Sequence, residues 1–473
     1  SLSSALAKEK ISLVKWKDLS ENEKSYVRGF YLKNVFPVLT PLSVDLGHPF
    51  PFISNLSTSL GVTLKHPEHE ERLFARVKIP KVLPQWIRVD QGEYKFISLI
   101  DVIVANIKDL FPLMEVLNAM PFRLTRNAEL EKNEDEAEDL LEHIEEELRQ
   151  RRFAEVVRLE HGPKPDMWML QFLMDELELS QEDVYEHPGL LDYTDLNVIT
   201  DVPRADLKYR NYVPVVPGPF LDDSQSLFMT IRQQDLLLHH PYESFRHTVE
   251  RFVKEAVLDP KVLAIKMTLY RTGDNSPFVK ALIRAAEEGK QVVCLVELKA
   301  RFDEERNIYW AQALENAGVH VVYGVVGLKT HAKTILVVRQ EAEGLKCYAH
   351  IGTGNYNSVT SRLYSDFGLL TSRDDITSEL VEFFHYLTGR SLKNSYQNLL
   401  IAPINMASKF NILIERESEL AKQGKPSQII AKFNNMDDVD ITRALYKASQ
   451  NGTQISLIVR GFCCLKPGIP GMS

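Results

Sequence analysis

Residues 262–298 read VLAIKMTLYRTGDNSPFVKALIRAAEEGKQVVCLVEL, which divides into two apolar runs around a longer amphipathic one. The outer runs are short and rich in aliphatic and β-branched residues, as buried strands are. The middle run repeats its apolar residues at helical spacing, begins after Ser276-Pro277 and ends at Gly289. The stretch therefore predicts a strand, a helix and a second strand, which is the unit of an α/β sheet.

The same alternation continues on both sides of this stretch. The predicted elements are a helix at 242–256, strands at 262–269, 291–298, 319–326, 332–339 and 346–351, helices at 278–288 and 305–317, and helical sequence from 376 to about 420. This order favours the α/β fold class. Before it, residues 1–217 mix apolar stretches with proline-rich turns and predict an α+β domain that ends in a linker.

Part of the α/β pattern is repeated after residue 428. Five residues of the first helix, turn and strand recur at an offset of 163, namely Ala281, Leu282, Ala285, Gly289 and Gln291 against Ala444, Leu445, Ala448, Gly452 and Gln454. The preceding strands match as 264–267 against 430–433. We interpret the repeat as two related domains, 218–398 and 399–473, of which the second is incomplete.

Composition sets limits on function. The chain has 473 residues, 44% of them hydrophobic, and no apolar run near the roughly 18 residues that cross a bilayer. The net charge is −9, but residues 129–147 contain eleven acidic residues and one lysine, so the rest of the chain is nearly balanced. This acidic segment predicts a solvated helix face, and nucleic acid is not an expected partner. Four cysteines without a C-x-x-C pair indicate a reducing compartment.

The segment Lys329-Thr330-His331-Ala332-Lys333 carries the strongest chemical signal. If it opens a strand, His331 and Lys333 point to the same face. A neutral imidazole can attack phosphorus, and a lysine can hold phosphate oxygens. An isolated H-x-K is nevertheless more often a core histidine beside a lysine.

Neighbouring motifs favour a phosphate site. The next predicted strand ends in GTGNYN at 352–357, where Gly352 and Asn355 offer backbone and amide donors. Arg271 and Arg301 each follow the carboxyl end of a predicted strand, and arginine suits bidentate phosphate contact. There is no Walker-type or kinase glycine-rich loop.

Other candidates are weaker. His239-His240-Pro241 lacks ligands at metal spacing and predicts a helix-entry turn. His350 is a candidate for a supporting role behind the glycine-rich turn. Phe50, Phe52 and Tyr364 could stack on a base, although aromatic residues in such contexts are usually core residues.

Several motifs in order resemble those of polyphosphate kinase, the histidine-dependent enzyme whose catalytic domains are phospholipase D-like. The matching segments are FPVLTP (36–41), HPFPFISNLS (48–57), DVPR (201–204), KMTLYR (266–271), ELKARFD (297–303), KTHAK (329–333) and GTGNYN (352–357). The resemblance implies a head domain over 1–217 with a remnant of an amino-terminal helical domain. It further implies a first catalytic domain over 218–398 and a partial second one over 399–473. It also leads us to expect truncation at both ends, with the second-copy histidine near position 494.

By this resemblance, His331 accepts the γ-phosphoryl group of ATP and passes it to polyphosphate in a reversible reaction, with Lys333 beside it. Tyr364 and Arg460 match positions that contact ATP. Arg271 and Arg301 match positions that the family associates with Mg²⁺. Because arginine has no lone pair for a cation, we expect these two residues to hold phosphates instead.

The resemblance also implies a cytoplasmic protein without transmembrane segments, peripheral membrane association being compatible with it, and a homo-oligomer at full length. Two alternatives remain open. Val338 stands where the wider superfamily has an aspartate five residues after the lysine, which disfavours a phospholipase D-like phosphodiesterase or phosphatidyltransferase without excluding it. An inactive phosphate-binding fragment is the other alternative.

Overall fold

The computed structural model describes residues 2–44, 48–68, 71–89, 92–127, 140–222, 225–300, 303–325, 327–389, 391 and 395–473. The chain divides into two compact units, Ser1–Asn211 and Tyr212–Ser473. The predicted head-domain boundary after residue 217 lies six residues beyond this division.

The first unit mixes helices with an antiparallel-rich sheet. Its helices are α1 (Leu2–Lys8), α2 (Glu21–Phe30), α3 (Leu99–Ala105), α4 (Leu140–Arg151), α5 (Met167–Glu176) and α6 (Asn197–Thr200). Its strands are β1 (Ile11–Val14), β2 (Pro41–Val44), β3 (Thr58–Lys65), β4 (Arg72–Lys78), β5 (Trp86–Arg88), β6 (Tyr94–Ser98), β7 (Glu115–Arg126), β8 (Val156–His161) and β9 (Val184–Glu186). Six strands form one sheet in the order β2-β4-β3-β7-β8-β9, and β1, β6 and β5 form a smaller one.

The central strand of the larger sheet, β3, is buried over seven of its eight residues. One core cluster combines Phe74 and Phe122 of the sheet with Leu173 of α5. Of the acidic segment, residues 129–139 lie outside the described residues. The described part, α4, buries Ile144 and pairs Arg151 with Glu147 at 2.6 Å, as an amphipathic surface helix does.

The second unit contains the α/β pattern. Its helices are α7 (Leu227–Gln233), α8 (Arg251–Leu258), α9 (Pro277–Glu287), α10 (Glu304–Asn316), α11 (Asp374–Gly389), α12 (Met406–Lys422) and α13 (Val439–Gln450). Its strands are β10 (Leu236–His240), β11 (Val262–Leu269), β12 (Gln291–Val296), β13 (His320–Val322), β14 (Lys333–Glu341), β15 (Gly344–Gly352), β16 (Asp366–Thr371), β17 (Gln428–Phe433) and β18 (Gln454–Val459). The α/β class predicted from the sequence is confirmed.

Seven of these strands form one mixed sheet in the order β10-β16-β15-β14-β11-β12-β13. Strands β11, β12 and β13 run parallel, as the strand–helix–strand signal predicted, and β14 is antiparallel to β11. Leu380 and Phe384 of α11 pack against Leu336 and Ala349 of the sheet. Of the phosphate-site candidates within the described residues, Arg271 follows β11 closely, Lys333 begins β14 and Gly352 ends β15.

Local signals explain why α9 has the bounds that it has. The Ser276 hydroxyl accepts a hydrogen bond from the Val279 amide, and Pro277 occupies the first turn, where no intrahelical donor is needed. At the other end Gly289 has a φ of 84°, and the Lys290 amide donates to the carbonyl of Ala285. Gly289, two residues before β12 begins, is therefore the left-handed glycine that ends the helix.

The second copy repeats this ending. Gly452 has a φ of 100° after α13, and β17 and β18 pair in parallel as β11 and β12 do. The register places Gln454 opposite Gln428 and Gln291 opposite Ala264. The predicted match of 264–267 with 430–433 is therefore wrong by two residues, a shift that keeps every side chain on the same face of its strand.

Helical sequence from 376 to about 420 is not one helix. Residues 390 and 392–394 lie outside the described residues, and an irregular stretch at 395–405 separates α11 from α12. Pro403 cannot continue an α-helix, because its ring clashes with the preceding turn. The Glu379 carboxylate accepts hydrogen bonds from the amides of residues 397–399, which holds this stretch against α11.

Candidate active site

Lys333 is the first residue of β14, and His331 lies just before the strand. The sequence predicted that strand alternation would put both side chains on one face. The pairing of β14 with β15 begins only at Lys333, which lies opposite Gly352, the last residue of β15. His331 therefore has no residue opposite it in β15, and strand alternation does not determine where its side chain points. Instead, the Lys333 ammonium group donates to the His331 backbone carbonyl. Lys333 is 5% exposed, whereas His331 is buried over only part of its surface and exposes the rest to solvent.

Thr268 of β11 fixes the backbone between these two residues. Its hydroxyl donates to the Ala332 carbonyl at 2.8 Å and accepts from the Thr334 amide at 3.1 Å. A side chain thereby supplies the hydrogen bonds that the strand ladder does not make at this point. The loop that carries His331, residues 329–332, is thereby anchored at its carboxyl end to the neighbouring strand β11.

Glu297, directly after β12, anchors the same loop from its amino side. Its carboxylate accepts hydrogen bonds from the Thr330 amide at 2.6 Å and the Lys299 amide at 3.0 Å. Glu297 is 3% exposed, and burial raises its pKa, with these two hydrogen bonds acting in the opposite direction. A second buried residue, Asn307 of α10, donates from its amide to the carbonyls of Tyr270 and Glu297, each at 2.8 Å.

Tyr270 lies at the centre of a group of positive charges. Its ring centroid is 4.8 Å from that of His331 in an edge-on arrangement, with an interplanar angle of 85°. The Lys333 and Lys329 ammonium groups lie 5.1 and 5.9 Å from the ring centroid, and the Arg271 guanidinium carbon lies 5.7 Å from it. The four basic residues thus converge on one aromatic side chain.

This environment changes the protonation of the pair. Burial, and after it the charges of Lys333, Lys329 and Arg271, lower the pKa of His331 to about 4. Burial lowers the pKa of Lys333 to about 7, against the opposing charge of Asp366 and together with that of Arg271. At neutral pH the His331 imidazole is therefore uncharged.

A cavity of about 480 Å³ opens beside His331. Residues 329–334 with Gly352 and Thr353 line its polar side, and α11, residues 399–402 and Met406 line its apolar side. This volume is within the range of small-molecule sites. His331 is thus placed where it can reach a molecule that occupies the cavity.

The glycine-rich turn follows β15 directly. The Thr353 amide donates to the Phe367 carbonyl at 2.9 Å, and its hydroxyl donates to the Asp366 carboxylate at 2.9 Å. A Cβ atom at Gly354 would lie 2.6 Å from that carboxylate, so the turn requires glycine there. The buried side-chain oxygen of Asn355 has no hydrogen-bond partner within the described part of the chain.

His350, on β15, is 2% exposed, and its Nδ1 lies 2.9 Å from the Tyr356 hydroxyl. Burial lowers the pKa of His350 to about 3, so it is neutral and packs behind the turn. This placement agrees with a supporting role. His240 is likewise buried at the end of β10, with its Nδ1 2.8 Å from the Glu243 carbonyl.

Of the two predicted phosphate-binding arginines, Arg271 is placed at the site. Its Nε lies 3.3 Å from an Asp303 carboxylate oxygen, so a phosphate would share or replace this ion pair. Arg301 lies outside the described residues. Within the described ranges, no group of three or more His, Cys, Asp or Glu residues could hold a metal ion.

Tyr364 and Arg460 are both exposed, and neither belongs to the lining of the cavity beside His331. Tyr364 follows a short 3₁₀ turn at Thr360–Arg362, after the glycine-rich turn. Arg460 follows β18, and its amide donates to the Phe433 carbonyl as the Glu297 amide donates to that of Leu269. Arg460 is therefore the second-copy counterpart of Glu297.

The aromatic candidates of the first unit differ in placement. Phe50 packs between Phe74 and Phe172, with both ring centroids at 6.1 Å, and is a core contact. Phe52 is 47% exposed, and the Arg126 guanidinium carbon lies 4.7 Å above its ring. Within the described helices, none is long and apolar enough to cross a membrane.

Sequence reasoning did not assign functional roles to Tyr270, Glu297, Asn307 or Thr268. One signal could have found the first two, since each directly follows a parallel strand, where α/β sheets bind ligands. Asn307 and Thr268 act through contacts between elements that the sequence does not reveal.

Three family profiles match the chain. They are the polyphosphate kinase middle domain at residues 22–199, C-terminal domain 1 at 226–393 and C-terminal domain 2 at 399–473. Together they cover most of the sequence. The chain belongs to the polyphosphate kinase family.

Relatives agree with this assignment. Polyphosphate kinases from Synechocystis sp. and Thermosynechococcus vestitus are 48% and 47% identical to the whole of this chain, which spans 68% and 69% of their lengths. The crystal structure of polyphosphate kinase from Porphyromonas gingivalis matches all of this chain with a TM-score of 0.83 and 29% identity, over 70% of that protein. The resemblance drawn from the motifs is confirmed, and the chain is a phosphotransferase homologue, not a separate phosphodiesterase.

Proposed function

We propose that this polyphosphate kinase transfers the γ-phosphoryl group of ATP to polyphosphate through His331. The observation that carries the proposal is a neutral imidazole held within a cluster of cations, at the side of a cavity. A nucleophile needs its lone pair, and the pKa of about 4 leaves it available at neutral pH. The cations match the charge of two polyanionic substrates.

In the first step, a ring nitrogen of His331 forms a bond to the γ-phosphorus as the bond from that phosphorus to the β–γ bridging oxygen breaks. ADP leaves with the bond electrons, and a phosphohistidine remains. In the second step, a terminal oxygen of polyphosphate attacks the phosphorus and the nitrogen–phosphorus bond breaks, which restores neutral His331. Each step is reversible, because one phosphoanhydride and one phosphoramidate exchange.

The surrounding residues stabilise charge. Lys333, fixed beside the histidine, holds oxygens of the transferring group while they gain negative charge. Arg271, Arg301, Gly352 and Asn355 are proposed to bind phosphate. The Asn355 side-chain amide can donate its N–H groups to phosphate.

Tyr364 and Arg460 are proposed to contact the base and the phosphates of ATP. Both are exposed at the ends of elements, which suits contact with a ligand that enters from solvent. The described residues do not fit a protein-held magnesium site: Arg271 offers no lone pair, and Glu297 already accepts two backbone amides. Mg²⁺ would accordingly be held by the phosphates of the nucleotide substrate, whose negative charge it would offset.

The proposal also covers the domains, partners, assembly and location of the protein. We propose three domains: a head domain at 1–217, a first catalytic domain at 218–398 and a partial second catalytic domain at 399–473. The proposed partners are ATP, ADP and polyphosphate, with a homo-oligomer as the assembly. The proposed location is the cytoplasm, with peripheral membrane contact compatible with it.

Labelling tests the nucleophile. The chain is incubated with γ-labelled ATP and Mg²⁺, and we expect an acid-labile, alkali-stable label that is lost in His331→Ala. His385→Ala, on the exposed side of α11, is the matched control and should keep the label. A label that persists in His331→Ala would refute the assignment. Binding of polyphosphate without any label would support the phosphate-binding fragment, and ATP-independent diester hydrolysis would support the phosphodiesterase.

A further inference from the structure

The ring of Tyr270 lies among several residues of the proposed phosphoryl-transfer site. It meets the His331 ring edge-on, and it lies within 6 Å of the charged ends of Lys329, Lys333 and Arg271. Its backbone carbonyl accepts the buried Asn307 amide, so the chain at this point is fixed to α10. Tyr270 is half-buried, with its ring directed into the site.

The contacts have a clear electrostatic meaning. Lys329, Lys333 and Arg271 carry like charges around one ring, and the charge of Arg271, after burial, lowers the pKa of Lys333. The face of an aromatic ring carries partial negative charge and attracts cations within about 6 Å. Because a ring does not form the tight ion pair that a carboxylate would, it can gather cations and leave their donors available to phosphate.

We propose that Tyr270 is a positioning residue of the phosphoryl-transfer site. Its ring gathers Lys329, Lys333 and Arg271 before substrate enters, and its edge contact sets the orientation of the His331 imidazole. The inference rests on the proposed function of His331. It requires the aromatic ring and not the phenolic hydroxyl.

The ring also affects the charge on Lys333. The groups that face this ammonium are His331 and Lys329 from the same segment, Arg271 after β11 and Asp366 on β16. The Asp366 carboxylate and the His331 backbone carbonyl favour the charged form, and the ring adds to them. Loss of the ring therefore makes Lys333 lose its proton at a lower pH.

The test compares Tyr270→Phe with Tyr270→Leu and Tyr270→Met. Phenylalanine keeps the ring, whereas leucine and methionine keep apolar bulk without it. We expect Tyr270→Phe to phosphorylate His331 within about twofold of wild type. We expect the other two to lose roughly 10- to 100-fold in kcat/KM for ATP, since about three cation–π contacts are lost.

Two further readouts separate positioning from general damage. The alkaline limb of the kcat/KM profile should move to lower pH in the leucine and methionine variants and stay in place in Tyr270→Phe. Thermal unfolding shows which variants are folded, and the test needs only one of the two variants without the ring, Tyr270→Leu or Tyr270→Met, to be folded. Equal activity in wild type and a folded ringless variant would overturn the inference, as would a phenylalanine variant as impaired as leucine. A wrong assignment of His331 gives a distinguishable result: His331→Ala, with Tyr270 unchanged, would keep the label from γ-labelled ATP.

Discussion

Lys333→Arg tests whether the charge on this side chain limits the reaction above neutral pH. Burial lowers the pKa of Lys333 to about 7, so the lysine is charged below pH 7 and becomes neutral above it. The pKa of His331 is about 4, so the imidazole is neutral throughout the upper range. The competent pair, a neutral histidine with a charged lysine, is therefore most populated between about pH 4 and pH 7.

The expected magnitude follows from this titration. One unit above its pKa, roughly one lysine in ten remains charged, so kcat/KM should fall about tenfold from its plateau by pH 8 and about 100-fold by pH 9. Arginine keeps its proton over the whole range. In Lys333→Arg the alkaline limb should disappear, even if the larger side chain lowers the plateau.

The assay is the rate of His331 phosphorylation by rapid quench, measured from pH 5 to pH 9 at ATP concentrations below KM. That regime reports the ionisations of the free enzyme, before substrate phosphates change them. Lys329→Arg, four residues before Lys333, is the matched control and should keep the fall of kcat/KM at alkaline pH. A wild-type profile that stays flat to pH 9 would refute the reasoning, and so would an unchanged limb in Lys333→Arg.

Two predictions concern the framework of the site. Gly354→Ala places a methyl group 2.6 Å from the Asp366 carboxylate and should lower the free energy of unfolding, measured by thermal unfolding, by about 1–3 kcal/mol. Gly389→Ala, whose methyl group would meet no atom of the described residues outside its own helix within 4 Å, should leave it unchanged, and equal effects would contradict the predicted clash. Asn307→Leu removes the amide that donates to two carbonyls, and should lower the free energy of unfolding, measured in urea, by about 1–3 kcal/mol for each of them. Asn316→Leu, at an exposed position of the same helix, is the control and should change that free energy by less than about 0.5 kcal/mol.

The parts of the fold that the sequence predicts well are those with local causes. The strand at 262–269 matches β11, and the helix at 278–288 differs from α9 by one residue at each end. Ser276, Pro277 and Gly289 act within a few residues of the ends that they determine. Such signals do not depend on the rest of the chain, so they can be recognised without it.

Tertiary contacts explain the failures. Residues 376–420 are mostly helical in composition, with Pro403 as a local signal against one continuous helix. The hydrogen bonds from residues 397–399 to the Glu379 carboxylate, which hold the stretch before α12, are not revealed by any local pattern. The same holds within the site. His331 and Lys333 were recognised by their spacing, yet what brings them together is a lysine–carbonyl hydrogen bond and a bridging Thr268, not the strand alternation that the spacing suggested.

The charge balance of the chain can now be related to its substrates. A protein with a net charge of −9 cannot attract polyphosphate through a broadly basic surface, so a few cations must be concentrated at one point. Concentration has an electrostatic cost: burial is the main cause of the lowered pKa of Lys333, and the charge of Arg271 lowers it further. The Tyr270 ring and the His331 carbonyl offset part of that cost, and a bound phosphate offsets the rest. The cluster is therefore most stable when occupied, and the free energy released as the anion relieves its repulsion favours binding at the atoms where phosphoryl transfer takes place.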